Sequence, residues 1–166
     1  MMIGVTGHRV LPNHATGNWL RRQLKGFLQE LAQPIMGVTS LAIGADQLFA
    51  EVLLEIRAEI FAIIPFTGYE RTFENEIDLR NYLRFRNSAS RVEILSPSAS
   101  DDQAYLRAGE RVVDVSELLV AIWNGEQAHG LGGTKDIVDY AMLLHKPLVQ
   151  FNPITREITR RERAHE

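Results

Sequence analysis

The feature that most constrains the fold is the segment from Glu117 to Ala141, which reads ELLVAIWNGEQAHGLGGTKDIVDYA. It opens with an unbroken apolar run, Leu118 to Ile122, that is too short for a globular helix. Such a run predicts a strand that is buried on both faces of a parallel sheet. A glycine-rich loop follows, and apolar residues take up helical spacing from Thr134 onwards. The segment therefore predicts a strand, a loop and a helix in succession.

This loop has the composition of an anion site. Gly132 and Gly133 would let a phosphate approach the backbone where a Cβ would collide, and Thr134 adds a hydroxyl. The first amides of a helix, with the positive end of its dipole, favour a negative ligand. The alternative is a simple turn in which Thr134 is the helix N-cap. The segment is neither a P-loop nor a dinucleotide fingerprint, since GxxxxGK and GxGxxG are both absent.

The rest of the chain repeats the alternation of strands and helices. We predict six strands and five helices, which indicates an α/β three-layer sandwich with a mostly parallel sheet. The strands are placed at 2–6, 38–43, 60–64, 92–95, 118–122 and 147–151. Residues 1–153 are expected to form one domain. Residues 154–166 lack an apolar stripe and are expected to form a charged tail, either frayed or one solvated helical turn.

Two of the predicted helices carry specific expectations. In the helix of about 72–88, the expected inward contacts are Phe73, Ile77, Leu79 and Leu83. The helix of about 103–115 is expected to be capped by Asp101 or Asp102.

The carboxyl ends of parallel strands lie at one edge of the sheet, and ligands of such folds bind there. The loops at this edge supply the candidate ligand-binding residues Thr6, Gly7, His8, Arg9, Gly44, Ala45, Asp46, Pro65, Tyr69, Trp123, Gly132, Gly133 and Thr134. The loop 96–100 is placed at the same edge.

Individual roles at this edge remain open. Arg9 either screens a bound anion or is an ordinary surface arginine. Asp46 either accepts a ribose hydroxyl or complements the dipole of its own helix. Trp123 and Tyr69 either cover a base or pack in the core or a dimer interface.

The sequence leaves catalysis undecided. Asp136 and Glu51 are the weak candidates for acid–base chemistry. The five histidines show no metal-ligand spacing, so no metal and no cofactor are expected.

Composition narrows the classes of partner. A formal net charge of −3 makes nucleic acid an unlikely partner. No apolar run approaches the roughly 20 residues of a membrane span, and no signal peptide is evident. The expected location is the cytoplasm.

Three segments together resemble the SLOG superfamily, which groups DprA/Smf proteins, LOG or lysine-decarboxylase-like phosphoribohydrolases and other Rossmann-like proteins. They read GVTGHR from Gly4, SLAIGADQLFAE from Ser40 and LLVAIWNGEQAHGLGGTKDIVDYA from Leu118. The second is similar to the SGLAxGID element of DprA, and the third to the glycine-threonine loop of LOG enzymes. The resemblance implies a Rossmann-like sheet that binds nucleotides or their derivatives, usually as a homodimer. The LOG pattern PGGxGTxxE has its glutamate three residues after the threonine, where this chain has Ile137.

Three functional hypotheses follow. The first is a module that binds a nucleotide-like phosphate ligand, for example as a sensor of a nucleotide metabolite. The second is an N-glycosidase, phosphoribohydrolase or deoxyribosyltransferase-like enzyme acting on nucleoside monophosphates. The third is DprA-like binding of single-stranded DNA.

Overall fold

The computed structural model describes residues 1–127 and 133–161. The strands are β1 Met2–Gly7, β2 Met36–Thr39, β3 Glu59–Ile64, β4 Arg91–Ile94, β5 Leu118–Ile122, β6 Leu148–Phe151 and β7 Ile158–Arg161. The helices are α1 His14–Glu30, α2 Ala45–Glu55, α3 Glu76–Ser88, α4 Asp101–Val115 and α5 Thr134–Leu143. A single 3₁₀ turn, Tyr69–Thr72, follows β3.

The sheet has the order β4-β3-β2-β1-β5-β6-β7. All neighbouring pairs are parallel except β6 and β7. From β1 the chain first adds strands on one side as far as β4, then returns to add β5 on the other side of β1. This reversal puts the switch in strand order between β1 and β5, which is where open α/β sheets bind ligands.

Helices cover both faces of the sheet. Side chains of α1, α2 and α3 form one core with the sheet, and those of α4 and α5 form the other. α4 and α5 pack closely, since a Cβ at Gly109 would lie 2.4 Å from Ile137 Cδ1. The three-layer α/β prediction is confirmed, and the sheet has seven strands rather than six.

The seventh strand forms where a frayed tail or solvated turn was expected. β7 pairs antiparallel with β6 after a turn in which Arg156 N–H donates to Asn152 O at 2.9 Å. All four residues of β7 are exposed. A strand with no buried face has no apolar alternation, so the sequence pattern could not reveal it.

The second strand was predicted too long, because β2 ends at Thr39 instead of continuing to Ile43. Beyond it, Leu41 has a left-handed φ of 57° and is completely buried. The apolar residues of 41–43 therefore belong to a buried turn, which periodicity cannot distinguish from a strand.

The inward face of α3 and the cap of α4 also differ from expectation. Ile77 is 64% exposed and Leu83 39% exposed, while Tyr82 and Phe85 fill the core. At α4 the cap is Ser100, whose side chain accepts a hydrogen bond from Gln103 N–H at 3.2 Å.

Candidate functional site

A cavity of about 360 Å³ lies at the carboxyl edge of the sheet. It brings together residues from four separate loops and from α4. Its walls include Thr6, Gly7, His8, Arg9, Ser40, Asp46, Pro65, Tyr69, Asp102, Tyr105, Gly109, Gly133 and Thr134. Nine of the predicted ligand-binding residues therefore face one space: those from Thr6 to Arg9, together with Asp46, Pro65, Tyr69, Gly133 and Thr134.

His8 connects the end of β1 to β5 and α2 through hydrogen bonds. Its amide donates to Ile122 O at 3.1 Å, and its carbonyl accepts from Ala45 N–H at 3.0 Å. Its ring Nε2 accepts from Asn124 N–H at 3.1 Å. That bond requires Nε2 to carry no proton, so the proton of a neutral ring is on Nδ1.

The first amides of α2 are used within the protein. Ala45 N–H donates to His8 O at 3.0 Å, and Gln47 N–H donates to Ala42 O at 3.2 Å. Gly44 has φ +80°, and a Cβ there would lie 2.4 Å from Arg9 O. Gly44 and Ala45 are not among the described residues that line the cavity. They hold the loop after β1 against α2 and do not provide the second amide cluster that the sequence suggested.

Asp46 lies in the cavity wall but is already hydrogen-bonded. Its Oδ2 accepts from Thr39 Oγ1 and from Ser40 N–H, both at 3.0 Å. Burial raises the pKa of Asp46 to about 6, against the lowering effect of these hydrogen bonds and of Arg9. The carboxylate therefore holds the turn after β2 in place, as well as bordering the cavity.

Arg9 is the exposed cation at the cavity mouth. Its guanidinium carbon lies 4.9 Å from the ring centroid of Tyr105, within cation–π range. Among the residues that the structure describes, no carboxylate lies within ion-pair distance of Arg9. Its charge is thus held in position without being neutralised.

Tyr69 is 4% exposed and is fixed by other aromatic rings. Its centroid lies 5.7 Å from that of Phe66, 5.2 Å from Phe73 and 5.4 Å from Tyr82. Burial, followed by the nearby negative charge of Asp46, raises the pKa of the Tyr69 phenol. The hydroxyl therefore stays protonated, and no described residue accepts its hydrogen bond.

The start of α5 reaches the opposite wall. Gly133 is its N-cap and provides no capping side chain. Thr134 is 7% exposed, and no described residue hydrogen-bonds to its hydroxyl. Gly132, the other glycine of the predicted phosphate loop, lies outside the described residues.

Trp123 is not among the described residues that line the cavity, so it does not cover a base there. It is 8% exposed and packs in the core beneath α4 and α5. Its Nε1–H donates to Glu126 O at 2.8 Å.

The two weak catalytic candidates also lie outside the described cavity wall. Glu51 forms an ion pair with Arg84, which joins α2 to α3. Asp136 lies in the first turn of α5, where its amide donates to Gly133 O at 3.1 Å. Acid–base chemistry in this cavity would instead depend on Asp46 or Asp102.

The sequence reading missed the contribution of α4. Asp102, Tyr105 and Gly109 line the cavity because α4 crosses back over the sheet from β4 to β5. The sequence predicts only a capping role for Asp102 and no role for Tyr105. The available signal was a glycine inside a helix, since such residues often mark close packing.

The described residues contain no group of three His, Asp or Glu side chains that could hold a metal ion. Within the ranges 1–127 and 133–161, no helix is both long and apolar enough to cross a bilayer.

No protein-family model and no curated protein matches the sequence. Solved structures do resemble the fold. DNA processing protein A (DprA) from Streptococcus pneumoniae has a TM-score of 0.65 at 14% identity, over 90% of this chain and 49% of that one. DprA from Helicobacter pylori, described by its single-stranded DNA binding mode, has 0.63 at 12% identity, over 90% and 64%. A structural-genomics structure of TM1055 has 0.56 at 16% identity, over 89% and 71%.

The chain shares the fold of these structures, which is the fold that the resemblance of its motifs to the SLOG superfamily implies. It spans about half to two thirds of the length of the two DprA chains. At these identities the likeness concerns the fold alone.

Proposed function

We propose that the protein binds a nucleotide or a nucleotide-derived phosphate ligand in the cavity at the carboxyl edge of the sheet, and that it serves as a sensor of such a metabolite. The observation that carries the proposal is that three kinds of donor line one cavity. They are the start of α5, where Gly133 makes no side-chain cap, Arg9, which forms no ion pair with a described residue, and the hydroxyl-bearing residues Tyr69 and Thr134. The phosphate would lie at the start of α5. Arg9 would screen the charge of the phosphate, and the sugar and base would extend towards Tyr69.

The proposed phosphate site is the start of α5. The first amides of a helix have no acceptor within the helix, and Gly133 brings no side chain to cap them. The Thr134 hydroxyl faces the same cavity without a described partner. An anion would accept hydrogen bonds from the amides of Thr134 and Lys135 and from the Thr134 hydroxyl, and would gain from the helix dipole, an arrangement that many phosphate sites use.

Arg9 and Tyr69 add further polar groups to the proposed site. Arg9 adds a positive charge to a cavity that also contains the carboxylates of Asp46 and Asp102. The Tyr69 hydroxyl remains a donor at any physiological pH, because its pKa is raised. These groups suit the polar oxygens of a sugar phosphate.

Thermal unfolding with AMP, ADP, ADP-ribose, NAD and cyclic dinucleotides tests the proposal. A ligand at about 100 times its dissociation constant should stabilise the protein by about 2.7 kcal/mol, which is an easily measured rise in Tm. Adenosine, which lacks the phosphate, is the matched control for AMP and should give a much smaller rise. An unchanged Tm with every phosphate ligand at millimolar concentration would contradict the proposal.

A second candidate function is cleavage or transfer at the N-glycosidic bond of a nucleoside monophosphate. The observation that favours it is the buried Asp46, whose pKa of about 6 suits general acid–base catalysis near neutral pH. Chromatography of AMP, GMP, CMP and UMP incubated with the protein would detect the free base. No release from any of them removes this candidate.

A third candidate is binding of single-stranded DNA, which the likeness to two DprA structures favours. The net charge of −3 argues against a large electrostatic contribution. Fluorescence anisotropy of a labelled oligonucleotide at low and moderate salt would show salt-sensitive binding if this candidate is right. A homodimer also stays a prediction, which sedimentation velocity would test.

A further inference from the structure

A second cavity adjoins the first and differs from it in chemistry. Its volume is about 320 Å³, and it shares Arg9, Ala42, Tyr69 and Tyr105 with the first cavity. The shared residues form a common wall, so a ligand can extend from one space into the other. Together the two spaces lie in the size range of sites for nucleotide-sized ligands.

The second cavity has aromatic rings on its inner side. Tyr69, Phe73 and Tyr105 line it, and Phe73 is stacked on Tyr82 with centroids 4.8 Å apart. The rings are held by packing against one another, so they present a preformed apolar surface. A flat heteroaromatic ring is the group that such a surface accommodates best.

The outer side of this cavity carries hydrogen-bond acceptors. Glu74 and Asp78 line it, and no described residue forms an ion pair or a hydrogen bond with either carboxylate. The Asp78 backbone is held by a hydrogen bond from Gln47 Nε2 to Asp78 O at 3.2 Å. The preceding cap is also ordered, since Asn75 Oδ1 accepts from Ile77 N–H at 2.8 Å. The backbone that carries Asp78 is therefore held in place, and Glu74 directly precedes the cap residue Asn75.

A hydroxyl without a described partner also faces this part of the site. Tyr69 is 96% buried, since its exposure is 4%, and it lines both cavities. None of the described residues accepts a hydrogen bond from its hydroxyl. A ligand in either cavity can therefore accept a hydrogen bond from this hydroxyl.

We infer that the second cavity holds the base of the nucleotide, and that this base is a purine with an exocyclic amino group. This inference rests on the proposed binding of a phosphate ligand in the first cavity. The purine ring packs on Tyr69, Phe73 and Tyr105. Its amino group donates to the carboxylates of Glu74 and Asp78, which can only accept hydrogen bonds when ionised. Arg9 lies between the two compartments, beside the sugar and phosphate.

Calorimetric titration of the intact chain with AMP, GMP and IMP tests the inference. AMP and GMP each carry one exocyclic amino group, and IMP carries none. At least one of the first two should bind about 10-fold or more tightly than IMP, since a hydrogen bond to a charged group is lost. Equal affinity for all three would overturn the inference, and no mutant is needed for that result.

Variants of Glu74 and Asp78 test whether these two carboxylates recognise the amino group of the base. The double variant Glu74→Gln and Asp78→Asn should lose about 10-fold in affinity for the preferred amino nucleotide, while its affinity for ribose 5-phosphate stays unchanged. Glu76→Gln is the matched control, since it removes an exposed acidic residue of the same turn that is not among the cavity residues. An equal loss with Glu76→Gln would overturn the inference, because the effect would then be one of general charge. Melting curves of both variants establish that they fold.

The same titrations separate this inference from the proposed function. If AMP, GMP, IMP and ribose 5-phosphate all fail to bind, the proposed function is wrong and the inference fails with it. If these ligands bind but the amino group and the two carboxylates make no difference, only the inference is overturned.

Discussion

The starts of α2 and α5 look alike in the sequence and differ in the structure. Each helix follows a buried strand and a glycine at the carboxyl edge of the sheet. At α2, the amides of Ala45 and Gln47 donate to His8 O and Ala42 O. At α5, Gly133 provides no cap and the Thr134 hydroxyl has no described partner. A glycine before a helix therefore indicates a turn, and only the surrounding chain decides whether its amides are left for a ligand.

The difference has a physical origin. The β1 loop passes directly over the start of α2, as shown by the 2.4 Å between a Cβ at Gly44 and Arg9 O. This contact brings a backbone carbonyl to the amide that a phosphate would otherwise bind. The start of α5 instead faces α4 across the cavity, where Gly109 allows close packing. The following predictions test this contrast, from the largest expected effect to the smallest.

Gly44→Ala should disrupt the start of α2, where the first amides donate to backbone carbonyls of the chain. The residue has φ +80° and ψ −120°, and the new Cβ would clash with backbone atoms of His8 and Arg9. We expect a loss of about 4 kcal/mol in the free energy of unfolding, measured by urea denaturation. Gly17→Ala in α1 is the matched control, because nothing lies within 4 Å of its added Cβ. The control should gain about 0.5–1 kcal/mol. Similar stabilities for the two variants would show that the β1 loop does not close α2.

Asp46 should make the stability of the protein depend on pH. Its pKa of about 6 lies above the ordinary value of 3.8, so the native chain binds this proton more tightly than the unfolded chain. The resulting stabilisation is fully present below about pH 4 and is lost as the pH rises through 6. It amounts to about 3 kcal/mol for a shift of about two pKa units.

This effect is measured by urea denaturation of the native chain and of Asp46→Asn between pH 3.5 and 7.5. The native chain should lose about 3 kcal/mol more than the variant over that range. Titration of the Asp46 side-chain carbon by NMR gives its pKa directly. Parallel stability profiles, with a carboxyl that titrates near 4, would contradict the assignment.

Arg9→Gln should weaken the binding of phosphate ligands in the first cavity. Loss of a hydrogen bond from a charged group predicts an affinity for AMP that is about 10- to 100-fold lower in calorimetry. Adenosine binding should change little, because the interaction is with the phosphate. Arg22→Gln is the control, since Arg22 is an exposed residue of α1 that is not among the residues lining either cavity. If both variants bind AMP equally well, Arg9 has no role in the site.

Thr134→Val should have the smallest effect. The substitution keeps the shape of a buried side chain and removes a hydroxyl that has no described partner. We expect a Tm near that of the native chain and about 3- to 10-fold weaker AMP binding, the value of one neutral hydrogen bond. Thr16→Val, at a buried threonine near the start of α1, is the control and should leave AMP affinity unchanged. A native affinity in Thr134→Val would remove the hydroxyl from the proposed phosphate site.

The central part of the fold was predictable because strands buried on both faces have a distinctive composition. β5 was predicted with its observed bounds, and α5 begins at Thr134 as expected. The sequence prediction is wrong where buried residues lie outside regular structure and where a strand is exposed on both faces. Leu41 is buried in a turn, and β7 is a strand with no buried face.

The candidate site could be predicted in part for the same kind of reason. Residues that directly follow parallel strands must meet at one edge, and Arg9, Tyr69 and Thr134 do line one cavity there. Tyr105 could not be found in this way, because it lies in the second turn of α4 and reaches the site only through the crossover to β5. Trp123 follows β5 directly, but packing against α4 and α5 draws it into the core.

The sequence by itself determined the alternation of strands and helices, and hence which loops share an edge, because apolar periodicity and strand direction are local properties of the chain. Only the tertiary structure decided that the first amides of α2 donate to carbonyls of the chain, and that a second cavity with aromatic rings and carboxylates adjoins the first. Those outcomes depend on which carbonyl lies beside an amide and which helix crosses above the sheet. Such contacts join residues that are far apart in the chain, so no local pattern encodes them.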